Sequence, residues 1–228
     1  MSGSGVIDIL LLVVIGLVTY CVAGEGAWGA AITLLSVILS GLIAMNFFEP
    51  ICNNLLGGNS YWQERLDLIV LGGLFTLGVF GLRAAADYVS PTYIAVHRYV
   101  HESARWGCAV LTGYVTMAFL LTALHTAPLP REFAGFRTER ANFFGLSPDR
   151  QWLGFTQFVS ERVCSSNPPR IFDGPQIVLG EPAWPNNVWP SFPIRYATRR
   201  ERGGAAAASA AAPVRQVQPQ KSGGAPAF

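Results

Sequence analysis

One stretch decides the fold of this chain: residues Ala27–Phe48, with the sequence AWGAAITLLSVILSGLIAMNFF. It is 22 residues long and contains no charged side chain. Because a transmembrane helix needs about 20 mainly apolar residues, this stretch is long enough to cross a bilayer. Three more apolar stretches accompany it, at Val6–Ala23, Leu66–Ala86 and Ala104–Leu124. Four such helices within residues 1–128 leave no amphipathic helices to cover them in water, so the sequence predicts four transmembrane helices.

Charge and proline divide the chain into two parts at Pro128. The chain is 13% charged, against about 25% in an average soluble domain. Residues 1–128 carry 4 Arg, no Lys and 7 acidic residues, whereas residues 129–228 carry 12 basic and 7 acidic residues and 12 of the 15 prolines. The predicted fold is an all-α membrane protein, with four transmembrane helices in a compact bundle followed by a polar, Pro-rich, partly disordered C-terminal region. The basic residues are too dispersed for a nucleic-acid interface, so we expect the lipid bilayer as partner and no nucleic acid.

The connections between the predicted spans differ in length. Gly24-Glu25-Gly26 leaves room only for a tight helical hairpin. Glu49–Arg65 contains Pro50 and several Asn and Gly residues, which predict an irregular loop. Asp87–Ser103 opens with Ser-Pro and is expected to form a short helix from Thr92. Tryptophan lies at the start of three spans, where an indole suits headgroup depth. These residues are Trp28, Trp62 and Trp106.

Residues 129–202 are predicted to lie outside the membrane, with one short amphipathic helix at about residues 149–163. Its apolar face has helical spacing and consists of Trp152, Phe155, Val159 and Val163. Such a face docks either on the membrane surface or on the spans, and the sequence does not choose between them. The Ala/Gly/Pro-rich composition of residues 203–228 predicts a disordered tail.

Arginine placement indicates the orientation, because cytoplasmic loops carry an excess of basic residues. The side with the N-terminus, the second connection and the tail has four arginines near the span ends, against two or three on the opposite side. This distribution favours both termini on the cytoplasmic side.

A few ionisable residues near the membrane are candidates for function, because charges at membrane depth are costly. Arg83 and Asp87 are four residues apart on one helical face and can form a pair that faces the bundle. Alternatively, Arg83 extends outward to the interface. Asp8 and Asp67 are expected to lie in the first turns of their spans, where an acidic side chain favours the positive end of the helix dipole.

The sequence contains one pair of candidate metal ligands. His97 and His101 are four residues apart, and a third ligand would come from Glu102, His125 or elsewhere. The order His-x-x-x-His-Glu differs from the His-Glu-x-x-His of zinc proteases, and a solvated interfacial helix is the simpler interpretation. Because neither a nucleophile elbow nor a phosphate-binding or dinucleotide-binding loop is present, we expect no catalytic residue, no cofactor and no metal.

Small residues recur at helical spacing in three spans and allow close helix packing, within the bundle or with another membrane protein or a second copy. They are Ser36, Ser40, Ala44, Gly73, Gly78, Gly81, Ala109 and Gly113, and Gly107 opens the fourth span.

The first 128 residues resemble the CvpA-like colicin V production proteins of bacteria. The resemblance rests on Val6-Ile7-Asp8 before an apolar span, a short Gly-containing hairpin, and Trp28–Ala31 (Trp-Gly-Ala-Ala) opening the second span. Ser90-Pro91 then precedes a polar segment leading into a Gly-containing fourth span. The polar residues of that segment are Glu102 and Arg105.

This resemblance implies a multipass protein of the bacterial inner membrane, associated with toxin production or export and envelope homeostasis, without enzymatic activity. Two alternatives remain open. One is a small channel or transporter subunit that uses Arg83 and Asp87, and the other is a membrane metalloenzyme that uses His97 and His101.

Overall fold

The computed structural model describes residues 4–56, 60–89, 97–128, 132–133, 136–137, 142–163, 172, 177–178, 188–189, 192–193 and 195–197. Five helices account for most of these residues. They are α1 (Ser4–Ala23), α2 (Gly26–Leu56), α3 (Ser60–Val89), α4 (Arg98–Leu124) and α5 (Pro148–Arg162). The first four are long and apolar enough to cross a membrane, so the prediction of four spans and of a multipass membrane protein is confirmed at that level.

Two short antiparallel ladders follow the spans. Strand β1 (Glu132–Phe133) pairs with β2 (Phe136–Arg137), and β3 (Ile177–Val178) pairs with β4 (Val188–Trp189). Each strand has only two residues. A ladder of this length is not stable alone, so the helices determine the fold.

The spans pack in the order α1, α4, α2, α3. Helices α1 and α2 both pack on α4, whereas α3 packs along α2 and meets α4 only at a few positions. One such position is the stack of Phe75 on Phe119, with ring centroids 4.0 Å apart. Much of α3 is therefore exposed: Leu77 is 72% and Phe80 75% accessible. These side chains face lipid once the helix spans a bilayer.

Helices α2 and α3 extend far into the connection that was expected to be an irregular loop. Helix α2 continues through Pro50 to Leu56, and α3 begins at Ser60. An internal proline costs about 3 kcal/mol. Here Phe48 and Cys52, on either side of it, are 0% and 1% exposed. Burial of these side chains offsets the cost, so the prediction of a loop from Glu49 is wrong.

The other helices also begin before their apolar runs. Helix α1 begins at Ser4, α3 at Ser60 and α4 at Arg98. Asp8 therefore lies in the second turn of α1, and Asp67, only 3% exposed, lies about two turns after the start of α3. The interpretation of both as first-turn residues is wrong, because helix formation continues into polar residues that hydropathy does not count. The expected short helix from Thr92 and the tail 203–228 lie outside the described residues.

Helix α5 matches the predicted amphipathic helix at 149–163, but a different face is buried. The buried residues are Pro148, Asp149, Trp152, Leu153, Thr156 and Ser160. Phe155 is 41% and Val163 75% exposed, so of the predicted face Trp152 alone is fully buried. The sequence did not decide whether this helix docks on the membrane surface or on the spans. In the structure it docks on α4 and α2. Polar Thr156 is buried here because its hydroxyl donates to the Trp152 carbonyl, at 2.9 Å.

Candidate functional site

Charged side chains gather at the end of the bundle where α1 and α3 end and α2 and α4 begin. We call this group the charged end: Glu25, Arg83, Asp87, His101, Glu102 and Arg105. Arg83 is its centre, with Nη2 3.3 Å from Glu25 Oε2 and 3.4 Å from Asp87 Oδ1. Its Nη1 also donates to the Gly29 carbonyl at 3.4 Å. The structure therefore brings Arg83 and Asp87 together, as their spacing predicts, and adds Glu25 as a partner that sequence reasoning missed.

Glu25 joins the hairpin to the interior of α2. Its Oε2 accepts a hydrogen bond from Thr33 Oγ1 at 2.8 Å. A Cβ atom added at Gly29 would lie only 2.7 Å from Glu25 Cβ. Glycine at position 29 thus leaves the room in which the Glu25 side chain meets Arg83. The close approach of Glu25 to Arg83 therefore needs Gly29, and these three residues connect the hairpin, α2 and α3.

The first turns of α4 hold both ends of the α1–α2 hairpin. Arg105 Nε donates to the carbonyl of Ala23 at 2.6 Å, at the end of α1. This carbonyl is one of the last in α1 and has no partner within its own helix, and a cation suits the negative end of the helix dipole. Across the hairpin, the Ala27 amide donates to His101 Nε2 at 3.5 Å. Between them Gly26 turns the chain with a φ of 81°, a conformation that favours glycine.

The remaining polar residues of this end complete a network of paired charges. Arg105 Nη1 lies 3.6 Å from Glu102 Oε2, and its guanidinium stands 5.5 Å from the Trp106 ring centroid. His101 Nδ1 lies 3.9 Å from Glu102 Oε1. The side chains of Arg83 and Arg105 are 26% and 31% exposed. Such half-exposed pairs contribute modestly to stability, about 0–1 kcal/mol each, but together they fix how the four helix ends meet.

The two candidate metal ligands are used in other contacts. His101 Nε2 faces the Ala27 amide, as described above, and the His97 ring stacks on Tyr99 at 5.5 Å. Within the part of the chain that the structure describes, no group of three or more His, Cys, Asp and Glu side chains is arranged to hold a metal ion.

The opposite end of the bundle contains a buried contact between a histidine at the end of α4 and an aspartate of α5. His125 Nε2 lies 2.9 Å from Asp149 Oδ2, and the two side chains are 0% and 1% exposed. Asn142 Nδ2 donates to the same oxygen at 3.5 Å, and Phe136 meets the imidazole edge to face at 4.9 Å. Sequence reasoning treated His125 only as a remote third metal ligand. The only signal was a lone histidine at the end of a span.

A C-terminal segment covers α2 at this same end. Phe192 is fully buried and packs edge to face on Phe48, with centroids 6.2 Å apart. Arg195 Nη2 lies 2.8 Å from Glu49 Oε1. Tyr196, 5% exposed, lies beside them. This part of residues 129–202 is therefore docked on the transmembrane domain, although the sequence placed it in a polar extramembrane region.

The predicted packing residues separate into two groups. Ser36, Ser40, Ala44 and Ala109 are buried. A Cβ at Gly78 would lie 2.8 Å from Ser40 Oγ, and one at Gly113 would lie 2.9 Å from the Ile15 carbonyl oxygen, so both glycines lie at close helix contacts. The other three glycines have no atom within 4 Å of such a Cβ and lie outside the contacts between the described helices. They are Gly73, Gly81 and Gly107.

Asp8 is half-buried near the start of α1, away from the charged end. The interior between the spans is mainly apolar, with Met45, Leu71 and Met117 at most 1% exposed, but it also buries Ser40, Thr112 and Asp67, at 0%, 1% and 3%. The described residues thus place paired charges at one end of the bundle and a buried His–Asp pair at the other, with a mainly apolar interior between them. When the chain is compared with protein-family models, curated proteins and solved structures, no match is found.

Proposed function

We propose that this chain is a multipass protein of the bacterial inner membrane without enzymatic activity, like the colicin V production proteins that it resembles. Its role would be in toxin production or export and in envelope homeostasis. The non-enzymatic part of the proposal is supported by the contacts of the charged side chains with one another and with the backbone. Arg83 and Arg105 are engaged by Glu25, Asp87, Glu102 and backbone carbonyls.

The same observation argues against Arg83 and Asp87 as a transport site. A carrier group must exchange partners with its substrate along a polar path. Arg83 instead lies near the end of α3, next to the hairpin, with two carboxylates and a carbonyl around it. We therefore assign it a positioning role, joining the hairpin to α3.

The proposal is tested by deleting the gene and measuring toxin secretion and survival under envelope stress. We expect both to fall and to be restored by the wild-type chain. Arg83→Lys, which keeps a cation beside both carboxylates, should restore most of the phenotype, whereas Arg83→Ala should restore less of it.

An unchanged phenotype in the deletion strain would contradict the proposed role. A substrate flux that depends on Arg83 in reconstituted vesicles would favour the transporter instead. A matched control is Leu77→Ala on the exposed face of α3, which removes a lipid-facing side chain and leaves the charged end intact.

A further inference from the structure

An apolar groove of about 210 Å³ lies between α2, α4 and α5, away from the charged end and next to Asp149, whose neighbour Pro148 is among its lining residues. Ile38 contributes from α2, Val115 and Ala118 from α4, and Trp152 and Phe155 from α5. By comparison, an apolar protein cavity of about 150 Å³ accommodates benzene. The groove is therefore large enough for a ligand.

The chemistry of the groove favours a purely apolar ligand. Two of its polar side chains, Tyr114 and Gln151, satisfy one another: Tyr114 Oη donates to Gln151 Oε1 at 2.7 Å. The buried indole Nε1 of Trp152 has no hydrogen-bond partner among the described residues. Gln151 Nε2 in turn donates to the Leu146 carbonyl at 2.8 Å. A polar ligand would have to break these bonds, whereas an apolar chain only replaces water or detergent on hydrocarbon walls.

The position of the groove indicates what covers it. Ala27 lies at the charged end, and at 1.5 Å per residue Ile38 is about 17 Å further along α2. In a hydrocarbon core about 30 Å thick, this depth is close to the midplane, slightly on the side of α5. Exposed apolar side chains continue outward from the groove on the same helices. These are Leu35 and Leu39 on α2, Leu111 on α4 and Phe158 on α5.

The volume of the groove favours lipid over a protein helix. One turn of an α-helix with its side chains, about 10–12 Å across and about 5.4 Å in pitch, occupies about 500 Å³. The groove offers about 210 Å³. An acyl chain is a single file of methylene groups and fits. We propose that the groove binds one acyl chain of a phospholipid from the leaflet on the α5 side, clamped between α5 and the spans. This site rests on the membrane placement proposed above.

The test uses the full-length protein and vesicles of phosphatidylethanolamine and phosphatidylglycerol. After reconstitution and extraction into a mild detergent, native mass spectrometry counts the phospholipids that remain bound. We expect one per chain, and at least a tenfold lower occupancy in Ile38→Phe and Val115→Phe, which fill the groove. Leu39→Phe and Leu111→Phe add the same ring on neighbouring lipid-facing positions and should keep the wild-type occupancy. Circular dichroism and elution volume establish that each variant is folded.

A second measurement detects the bound lipid by photocrosslinking and does not require the groove to be filled. A benzoylphenylalanine photoprobe replaces Phe155 at the groove or Phe158 outside it. In detergent, the probe at position 155 should capture phospholipid at least tenfold more often. Equal lipid retention in all four variants, or capture of another protein chain at position 155, would overturn the acyl-chain site. If the chain is instead absent from the membrane fraction, the membrane placement itself fails.

Discussion

The buried His125–Asp149 pair allows the sharpest test of how α5 is held. We consider His125→Phe, Asp149→Leu and the double variant, in which apolar side chains replace both partners. Removing one partner leaves the other buried without its 2.9 Å contact. Because Asn142 still donates to Asp149 in His125→Phe, we expect a loss at the lower end of the about 1–3 kcal/mol that an unsatisfied buried polar group costs.

The double variant should be less destabilised than the sum of the two single variants. A buried pair replaced by apolar groups of similar size is often neutral, because neither partner stays buried alone. We expect a coupling energy of about 1–3 kcal/mol between the two sites, the range for residues in direct contact. This coupling is the energetic signature of a pair whose members are 0% and 1% exposed.

The assay is unfolding of the purified chain in mixed detergent and dodecyl sulfate, followed by circular dichroism. Trypsin cleavage at Arg150 and Arg162 reports in parallel on the release of α5, and both single variants should be cut faster than the wild type. A double variant whose loss equals the sum of the single losses would refute the reasoning, because it would mean that the two side chains do not interact.

The remaining predictions concern close helix contacts and the charged end. Gly113→Ala should destabilise the domain by about 1–3 kcal/mol, the usual cost of overpacking, because the new Cβ would lie 2.9 Å from the Ile15 carbonyl oxygen. The new Cβ of Gly107→Ala meets open space, so this variant should stabilise α4 by up to about 1 kcal/mol through helix propensity. Both variants are measured by unfolding in dodecyl sulfate. Equal effects of the two substitutions would contradict the described packing. Arg105→Gln loses the 2.6 Å bond to Ala23 and, because the site is half-exposed, should cost about 1 kcal/mol. We expect 1 M salt to narrow the difference in unfolding free energy between the wild type and Arg105→Gln. An unchanged difference would indicate that charge is not the cause.

The number of spans could be read from the sequence because the bilayer selects long apolar runs, whatever their partners. The helix ends could not be read in the same way. Hydropathy marks where apolar residues stop, whereas backbone hydrogen bonds carry α2 past Pro50 to Leu56. The order of packing was also beyond the sequence, which does not show that α3 packs mainly on α2.

The candidate site shows the same division between local and distant information. Arg83 and Asp87 are four residues apart on one helix, so their spacing predicts the pair. The contacts of Arg83 with Glu25 and of His125 with Asp149 join separate segments, and no local sequence pattern predicts them. The buried face of α5 was misjudged because Asp149, Thr156 and Ser160 are polar, yet all three are buried. The proposed role in toxin export, the orientation and the resemblance stay predictions.

The central claim is that the long apolar helices cross a membrane, and cysteine accessibility on either side of α3 and α4 tests it most directly. Single cysteines at Tyr88, Leu55 and Arg162, all exposed and introduced into a cysteine-free chain, are labelled with a membrane-impermeant maleimide in sealed vesicles of both orientations. We predict that Leu55→Cys and Arg162→Cys react in one vesicle orientation and Tyr88→Cys only in the other. Labelling of all three from the same side would contradict the account.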